Sequence, residues 1–228
     1  MNISKRLKAV ASMISDNYKV ADIGTDHGYI PIYMVTERNC PYAYAMDVNA
    51  GPLKKAEENV ARYNVNDRVE LRLSDGIEKL DKGEADSIVI AGMGGILINR
   101  ILGNGMEIAK ATEELILSPH SDVNLVRRFL ADNGFKIVDE QIIYDEGKYY
   151  FIIKAVIGKM VIENDTYEWF GTILLERKDK VLLDYLNKEQ SKRKTILSAI
   201  SPVNNASRYA EVLKELEIIQ KGIDMYES

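Results

Sequence analysis

Asp22, Asp26, His27, Asp47 and Asp75 are the residues of this chain whose types and spacing could do chemistry. The first three share one string, Asp22-Ile23-Gly24-Thr25-Asp26-His27-Gly28-Tyr29-Ile30-Pro31, which follows Lys19-Val20-Ala21. It reads as a short buried strand running into a glycine turn and then a helix. Gly24 and Gly28 let the backbone pass close to a ligand where a side chain would collide. Asp47 closes the next strand candidate about 20 residues on, where a ribose-binding carboxylate belongs in a nucleotide-binding α/β fold. The middle glycine of the G-x-G-x-x-G pattern is replaced by Asp26. A carboxylate there would repel a pyrophosphate held at a helix N-terminus. The turn therefore suits a nucleoside without phosphates, a cationic one included. S-adenosylmethionine meets that description and NAD does not.

In open α/β sheets ligands bind outside the C-terminal ends of the strands, and the other candidates fall at such ends. Asp47-Val48 ends the second strand, where the carboxylate would accept from both ribose hydroxyls or simply cap a helix. Asp75-Gly76 ends the third. Asp75 would accept an adenine amino group, or make an ordinary Asp-Gly turn. Ala91-Gly92-Met93-Gly94-Gly95 ends the fourth and would leave an open floor under the reacting group, or start a helix. Met93 is as readily core as contact. Ser118-Pro119-His120 ends the fifth. Both histidines of the chain, His27 and His120, fall at these ends, which makes them candidates to touch substrate. With no third His or Cys beside them, no metal site is expected. No G-x-S-x-G elbow supports serine hydrolase chemistry.

The elements that must position these residues follow from the pattern. Apolar runs at 20–24, Ala43–Asp47, Val69–Leu73, Ser87–Ala91 and Glu114–Ser118 alternate with helical spacing at 52–63, 95–102 and 122–133. Asp122 is a plausible N-cap and Gly134 a plausible C′ glycine. The alternation implies parallel strands with helices on both faces. Segments 135–144 and 149–156, joined by Asp145-Glu146-Gly147-Lys148, read as an antiparallel hairpin. After Gly158 the strand pattern stops. A long helix over 168–200, a turn at 201–205 and a second helix from Ala206 form an αα-hairpin. The expected domains are thus 1–158, binding the nucleoside, and 159–228.

Composition bounds the rest. The 228 residues are 46% hydrophobic, enough for one sizeable core. No apolar run is long enough for a membrane span, and the N-terminus has no signal-peptide pattern. One cysteine, Cys40, excludes an internal disulfide and fits a cytoplasmic location. The net charge of −5 argues against a protein that coats nucleic acid nonspecifically, but leaves room for a local basic face. Candidates for phosphate contacts are Lys5, Arg6 and Lys8, then Arg127 and Arg128, then Lys188 and the run Lys192-Arg193-Lys194. For any one of them a solvated helix face is the plainer explanation.

On these residues the chain resembles the bacterial tRNA adenine-22 N1-methyltransferases. The resemblance is carried by Ser4-Lys5-Arg6-Leu7, by 21–33 with its Asp26-His27 pair, by Val48-Asn49-Ala50-Gly51-Pro52 and by Ile90-Ala91-Gly92-Met93-Gly94-Gly95. It covers nearly the whole chain. Departures are Met46-Asp47 where the family has Gly-Glu, Ser74-Asp75-Gly76 where it has Gly-Asn-Gly, and Ser118-Pro119-His120 where it has Gln-Pro-Asn. The resemblance implies a Rossmann-like class I methyltransferase with a coiled-coil-like helical hairpin at its C-terminus. The implied cofactor is S-adenosylmethionine and the implied partner is tRNA. Enzymes that methylate exocyclic amines carry Pro-Pro-Tyr at the fourth strand end, and this chain does not.

The expected roles follow. Asp22, Gly24, Gly28, Asp47, Val48, Asp75, Gly76, Ala91, Gly92 and Met93 bind the cofactor. Adenine N1 is neutral, attacks without losing a proton and leaves a cationic ring. Asp26 would stabilise that charge, or its carboxylate caps the next helix. His27 would orient Asp26 or bond the base. Tyr29, Pro119, His120, Arg127, Lys192, Arg193 and Lys194 would contact the RNA, with Tyr29 as the stacking face. The oligomeric state stays open, with a monomer favoured. The rival readings are a methyltransferase for a small molecule or protein, and a non-catalytic RNA-binding protein with a vestigial nucleoside pocket.

Overall fold

The structure is a computed structural model, and it describes residues 1 and 3–227. The chain divides into two compact units, Met1–Met160 and the segment from Val161 onward. In the first, seven strands form one sheet in the order β3-β2-β1-β4-β5-β7-β6. They are β1 (Val20–Ile23), β2 (Ala43–Asp47), β3 (Val69–Leu73), β4 (Ser87–Ala91), β5 (Glu114–Ser118), β6 (Phe135–Asp145) and β7 (Lys148–Ile157). β1 to β5 are mutually parallel. β7 runs antiparallel between β5 and β6. The central strands are buried over nearly their whole length, the pattern of a sheet covered on both faces.

The covering helices are α1 (Lys5–Met13), α2 (Tyr29–Glu37), α3 (Ala50–Arg62), α4 (Gly95–Asn104), α5 (Met106–Ala109) and α6 (Val123–Asp132). One apolar cluster fills the side holding Ile88, Ile98, Leu102 and Leu130; another fills the side holding Val10, Ile32, Val60 and Ile116. The reversal at the sheet's switch between β1 and β4 places the ends of β1, β2, β4 and β5 along one edge.

The hairpin turns through Glu146 and Gly147, both at positive φ, as a two-residue loop with right-handed strand twist requires. β7 pairs with β5 only through Ala155 to Ile153. Its residues before 153 therefore run on past the C-terminal end of β5, on the side of the sheet where the candidates lie. α1 is held at both ends. Near its C-terminal end, Lys154 Nζ lies 2.8 Å from both Glu114 Oε2 and Ser15 Oγ, and the buried Glu114 accepts from the Ser15 amide at 2.9 Å. Near its N-terminal end, Lys5 Nζ donates to the Tyr144 carbonyl (2.8 Å) and the Arg6 amide to Asp145 Oδ2 (3.0 Å).

The second unit is α-helical: α7 (Asp165–Phe170), α8 (Thr172–Glu176), α9 (Lys180–Ala199) and α10 (Ala206–Glu227). The continuous helix expected over 168–200 is broken twice. Gly171, at φ 87°, ends α7, and Lys178, at φ 52°, ends the next turn. Asp179 then caps α9 by accepting from the Val181 and Leu182 amides at 2.9 and 3.2 Å. α9 and α10 run antiparallel: Gln190 bonds Gln220, Arg193 bonds Glu215, and Tyr226 donates to the Asp179 carbonyl. Gly222 lets α10 approach closely, since a Cβ there would lie 3.2 Å from Phe170 Cδ2. Among the described residues no helix is long and apolar enough to cross a membrane.

Candidate active site

The end of β1 turns sharply. Gly24 and Thr25 donate their amides to the Met46 carbonyl at 2.8 and 2.9 Å, which swings the chain toward β2. His27 and Gly28 then sit at φ 60° and 67°, and α2 begins at Tyr29. A histidine is strained there. Asn59 of α3, nearly buried, holds it by donating Nδ2 to the His27 carbonyl at 3.0 Å. The result projects Asp26 and His27 together: Asp26 Oδ1 lies 3.2 Å from His27 Nε2, and the imidazole stacks on Tyr29 with centroids 5.2 Å apart at 13°. The Asp26 carboxylate does not cap α2, whose N-cap is Gly28 with no side-chain bond. That disposes of the plainer alternative for Asp26.

Asp22 is buried within β1. Burial pushes its carboxyl up to about 7; the charges of Asp47 and Asp26 add to the shift, while the neighbouring Thr25 hydroxyl and Arg6 oppose it. Asp47 stands half-buried at the end of β2, with Oδ1 accepting from the Asn49 amide at 2.7 Å. The N-cap of α3 is Asn49, so Asp47 is not spent as a cap. Beside it Val48 is 58% exposed, an apolar side chain set out in water at a strand end. At the end of β3, Ser74 is buried and donates to the Gly76 carbonyl, while Asp75 is exposed. Gly76, at φ 57°, faces Ile101, whose Cγ2 would lie 2.8 Å from a Cβ.

The glycine string after β4 divides into two jobs. Gly95 serves packing: a Cβ there would meet the Asp122 carbonyl at 2.5 Å. Gly92 serves the site: a Cβ there would face Arg6 Nη1 at 3.3 Å and His120 Nε2 at 3.6 Å. Met93 lies over Gly24, filling the space a Cβ would need. The floor expected over 92–95 is therefore bounded at Gly92 by the ends of Arg6 and His120 and closed at Gly95 by backbone packing. His120, exposed, is fixed by its amide bonding the Met93 carbonyl at 2.8 Å. Partial burial holds its pKa below the usual value, aided by Arg6 and Lys148 and opposed by the Gly92 backbone. Its ring centroid is 6.4 Å from that of Tyr150 on β7.

Arg6, Asp22, Gly24, Asp26, Tyr29 and Ala91 line one cleft. Arg6 was placed by sequence among phosphate contacts. In the structure it faces this cleft, and the signal that could have found it is the Ser4-Lys5-Arg6-Leu7 string. Asn59 carried no sequence signal, being one polar residue on an amphipathic helix.

Three expectations need correction. Arg127 is 1% exposed, paired with the equally buried Glu140 at 2.8 Å, with its guanidinium 5.3 Å from the Phe151 ring centroid. It is a core ion pair and cannot reach a phosphate. Arg193 is held by Glu189 of its own helix and by Glu215 of α10 at 2.6 Å. It staples two helices and offers little charge to RNA. Pro119 is buried and presents no side-chain surface to a base. Lys192 and Lys194 remain exposed, the first 3.8 Å from Glu189 and the second bonded to Gln190.

An antiparallel β7 slotted between β5 and β6, with an acidic glycine turn at β1 and a carboxylate closing β2, defines the Rossmann-like methyltransferase class. The methyltransferase-domain family matches residues 3–153. The tRNA (adenine(22)-N(1))-methyltransferase of Bacillus subtilis is 33% identical over 98% of this chain and 98% of its own length. The crystal structure of the B. subtilis m1A22 tRNA methyltransferase has a TM-score of 0.87 at 31% identity, covering 97% of this chain and 99% of that one. A Mycoplasma capricolum structure in complex with S-adenosyl-homocysteine has a TM-score of 0.87 at 30% identity over 98% of this chain and 99% of its own. The chain belongs to the tRNA (adenine(22)-N(1))-methyltransferase family.

Proposed function

We propose that this protein transfers a methyl group from S-adenosylmethionine to N1 of the adenine at position 22 of tRNA. The observation that carries the reading is the Asp26-His27-Tyr29 cluster at the end of β1, in a chain 33% identical to a tRNA (adenine(22)-N(1))-methyltransferase over 98% of its length. The cofactor supplies an electrophilic methyl on a sulfonium. Asp47 holds the ribose hydroxyls: one carboxylate oxygen already accepts from Asn49, and a carboxylate has lone pairs to spare. Val48 covers the nucleoside base, which explains its exposure. Asp75 accepts from the adenine amino group, and Asp22 faces the ammonium of the amino-acid tail.

On the acceptor side, N1 lies on the pairing edge, so the base must leave its stack to reach the cleft. His27 already covers one face of Tyr29, so the base stacks on the pair. Asp26 faces the charge that grows on the ring. Its carboxylate is 80% exposed in the protein alone, and only RNA covering it would lower the surrounding dielectric enough to make that charge count. Positioning supplies much of the rate. The helical unit from Val161 onward carries tRNA through outward cations such as Lys192 and Lys194. The same reading places the protein in the cytoplasm, where its RNA substrate is. Incubation with unmodified tRNA and labelled cofactor, followed by mapping of the methylated nucleotide, tests this. Label at adenine 22 supports it. Label on small molecules or protein with none on tRNA overturns it.

A further inference from the structure

We propose that Tyr144 and Tyr149 form a stacking platform for an unpaired base of the tRNA that flanks the target adenine. This rests on the tRNA-methyltransferase reading above. The hairpin is shaped to carry such a platform. β7 pairs with β5 only over 153–155, so the strands before and after the turn run past the end of β5 as an arm. Tyr144 and Tyr149 pair across that arm, with ring centroids 4.8 Å apart at 48°. Tyr144 keeps 42% of its surface in water, and Tyr149 is half-buried. The plainer account is a cross-strand aromatic pair that steadies the hairpin. That explains why the rings meet, but not why so much aromatic surface stays open at the edge where the strand ends gather.

The surroundings of the pair say which partner. Side chains alternate along a strand, so Tyr150 points to the other face of the arm. There its ring centroid lies 5.3 Å from the Arg6 guanidinium and 6.4 Å from the His120 ring. The arm is thus a wall with one face toward the site and the tyrosine pair on the other. Lys5, exposed, sets its Nζ 2.8 Å from the Tyr144 carbonyl, a full positive charge beside the pair. At the turn the exposed Lys148 stands next to the exposed Glu146, while Asp145 accepts from the Arg6 amide. Aromatic faces with ammonium groups beside them are what single-stranded RNA recognises, since bases stack and phosphates meet the cations. An apolar protein partner would instead strip water from Lys5 and Lys148 and supply no anion. A target base that leaves its stack uncovers its neighbours, and the arm offers one of them a surface.

Steady-state methylation of tRNA tests the proposal, with abasic sites placed in turn at the nucleotides flanking adenine 22. On the parent, one such site should raise KM for tRNA about tenfold with kcat held, the scale of one lost base–aromatic stack. Tyr144→Val with Tyr149→Val should raise KM for intact tRNA by a similar factor and become insensitive to that abasic site. Valine suits a strand, and S-adenosylmethionine affinity should not change. Tyr144→Phe with Tyr149→Phe should behave as the parent, because stacking needs the ring and not the hydroxyl. A parent whose KM responds to no flanking abasic site overturns the platform, and that arm of the test needs no variant to fold. A valine variant that melts lower yet keeps the parental KM also overturns it and leaves the pair a hairpin staple. A phenylalanine variant as impaired as the valine one overturns stacking as the contact. A parent that methylates no intact tRNA overturns the methyltransferase reading itself.

Discussion

Asp22 and Asp26 stand four positions apart and meet opposite environments, which gives them opposite tests. Asp22 is buried and its carboxyl is raised to about 7. Unfolded, an aspartate titrates near 3.9. Between those values the folded protein holds a proton that the unfolded chain has lost, so Asp22 lowers stability progressively as pH rises from about 4 to about 7, by at most about 4 kcal/mol. Asp22→Asn should therefore melt higher than the parent at pH 8, with the gain shrinking toward pH 5, while binding the cofactor more weakly. A gain that does not depend on pH would refute this origin. Asp26 is exposed, so Asp26→Asn should leave melting temperature and cofactor affinity nearly unchanged. Its turnover on tRNA should fall by about a hundredfold, the scale of one lost preorganised electrostatic group; near-parental turnover would refute the electrostatic role. The placement of Asp22, Asp26 and Asp47 at the ends of β1 and β2 was legible because apolar runs and glycine spacing mark where strands stop and turns begin. Asn59 was not, because it acts on His27 across 32 residues of chain, and Arg6 was read only as a phosphate contact, because only the fold brings α1 to the cleft.

At the scale of elements, the alternation of strands and helices through 133 was readable from apolar periodicity, and so was the hairpin, though its connection, read as residues 145–148, tightens to Glu146 and Gly147 because Asp145 and Lys148 pair. The helical unit was misread where Gly171 and Lys178 adopt positive φ. A lone glycine is tolerated within a helix and a lysine carries no turn signal, so periodicity ran straight through both. The basic run on α9 was read by composition alone, which cannot show that Glu189 and Glu215 neutralise its middle member. The three residues should therefore separate by experiment. Replacing Lys192 and Lys194 together should flatten the dependence of tRNA affinity on salt, by about 0.7–0.9 in the log–log slope per lost phosphate contact. Arg193→Ala should instead lower the melting temperature and leave the slope unchanged. A slope that responds to Arg193 and not to the lysines would reverse the assignment.

For the whole molecule, a net charge of −5 means that RNA is met by local fields rather than by a general one. Raising salt from 50 to 200 mM should weaken tRNA binding by about tenfold or more. Cofactor affinity should hold, because its polar partners lie in a cleft where screening is weak. Parallel titrations of the two ligands check this, and equal salt sensitivity would count against a surface-borne RNA site. The division after Met160 places the strand-end cleft wholly in the first unit.

The clasp between α1 and the β6–β7 hairpin has a consequence for synthesis and folding. Lys5 and Arg6 bond residues 139 positions further along the chain. During synthesis α1 must wait for one of the last strands of its unit before these bonds can form. Contacts of such separation carry a large loop-closure cost and form late. Asp145→Ala, which removes the acceptor of the Arg6 amide, should therefore speed unfolding while leaving the refolding rate nearly unchanged. Stopped-flow kinetics would show it, and a slowed refolding limb would place the clasp in the folding nucleus instead.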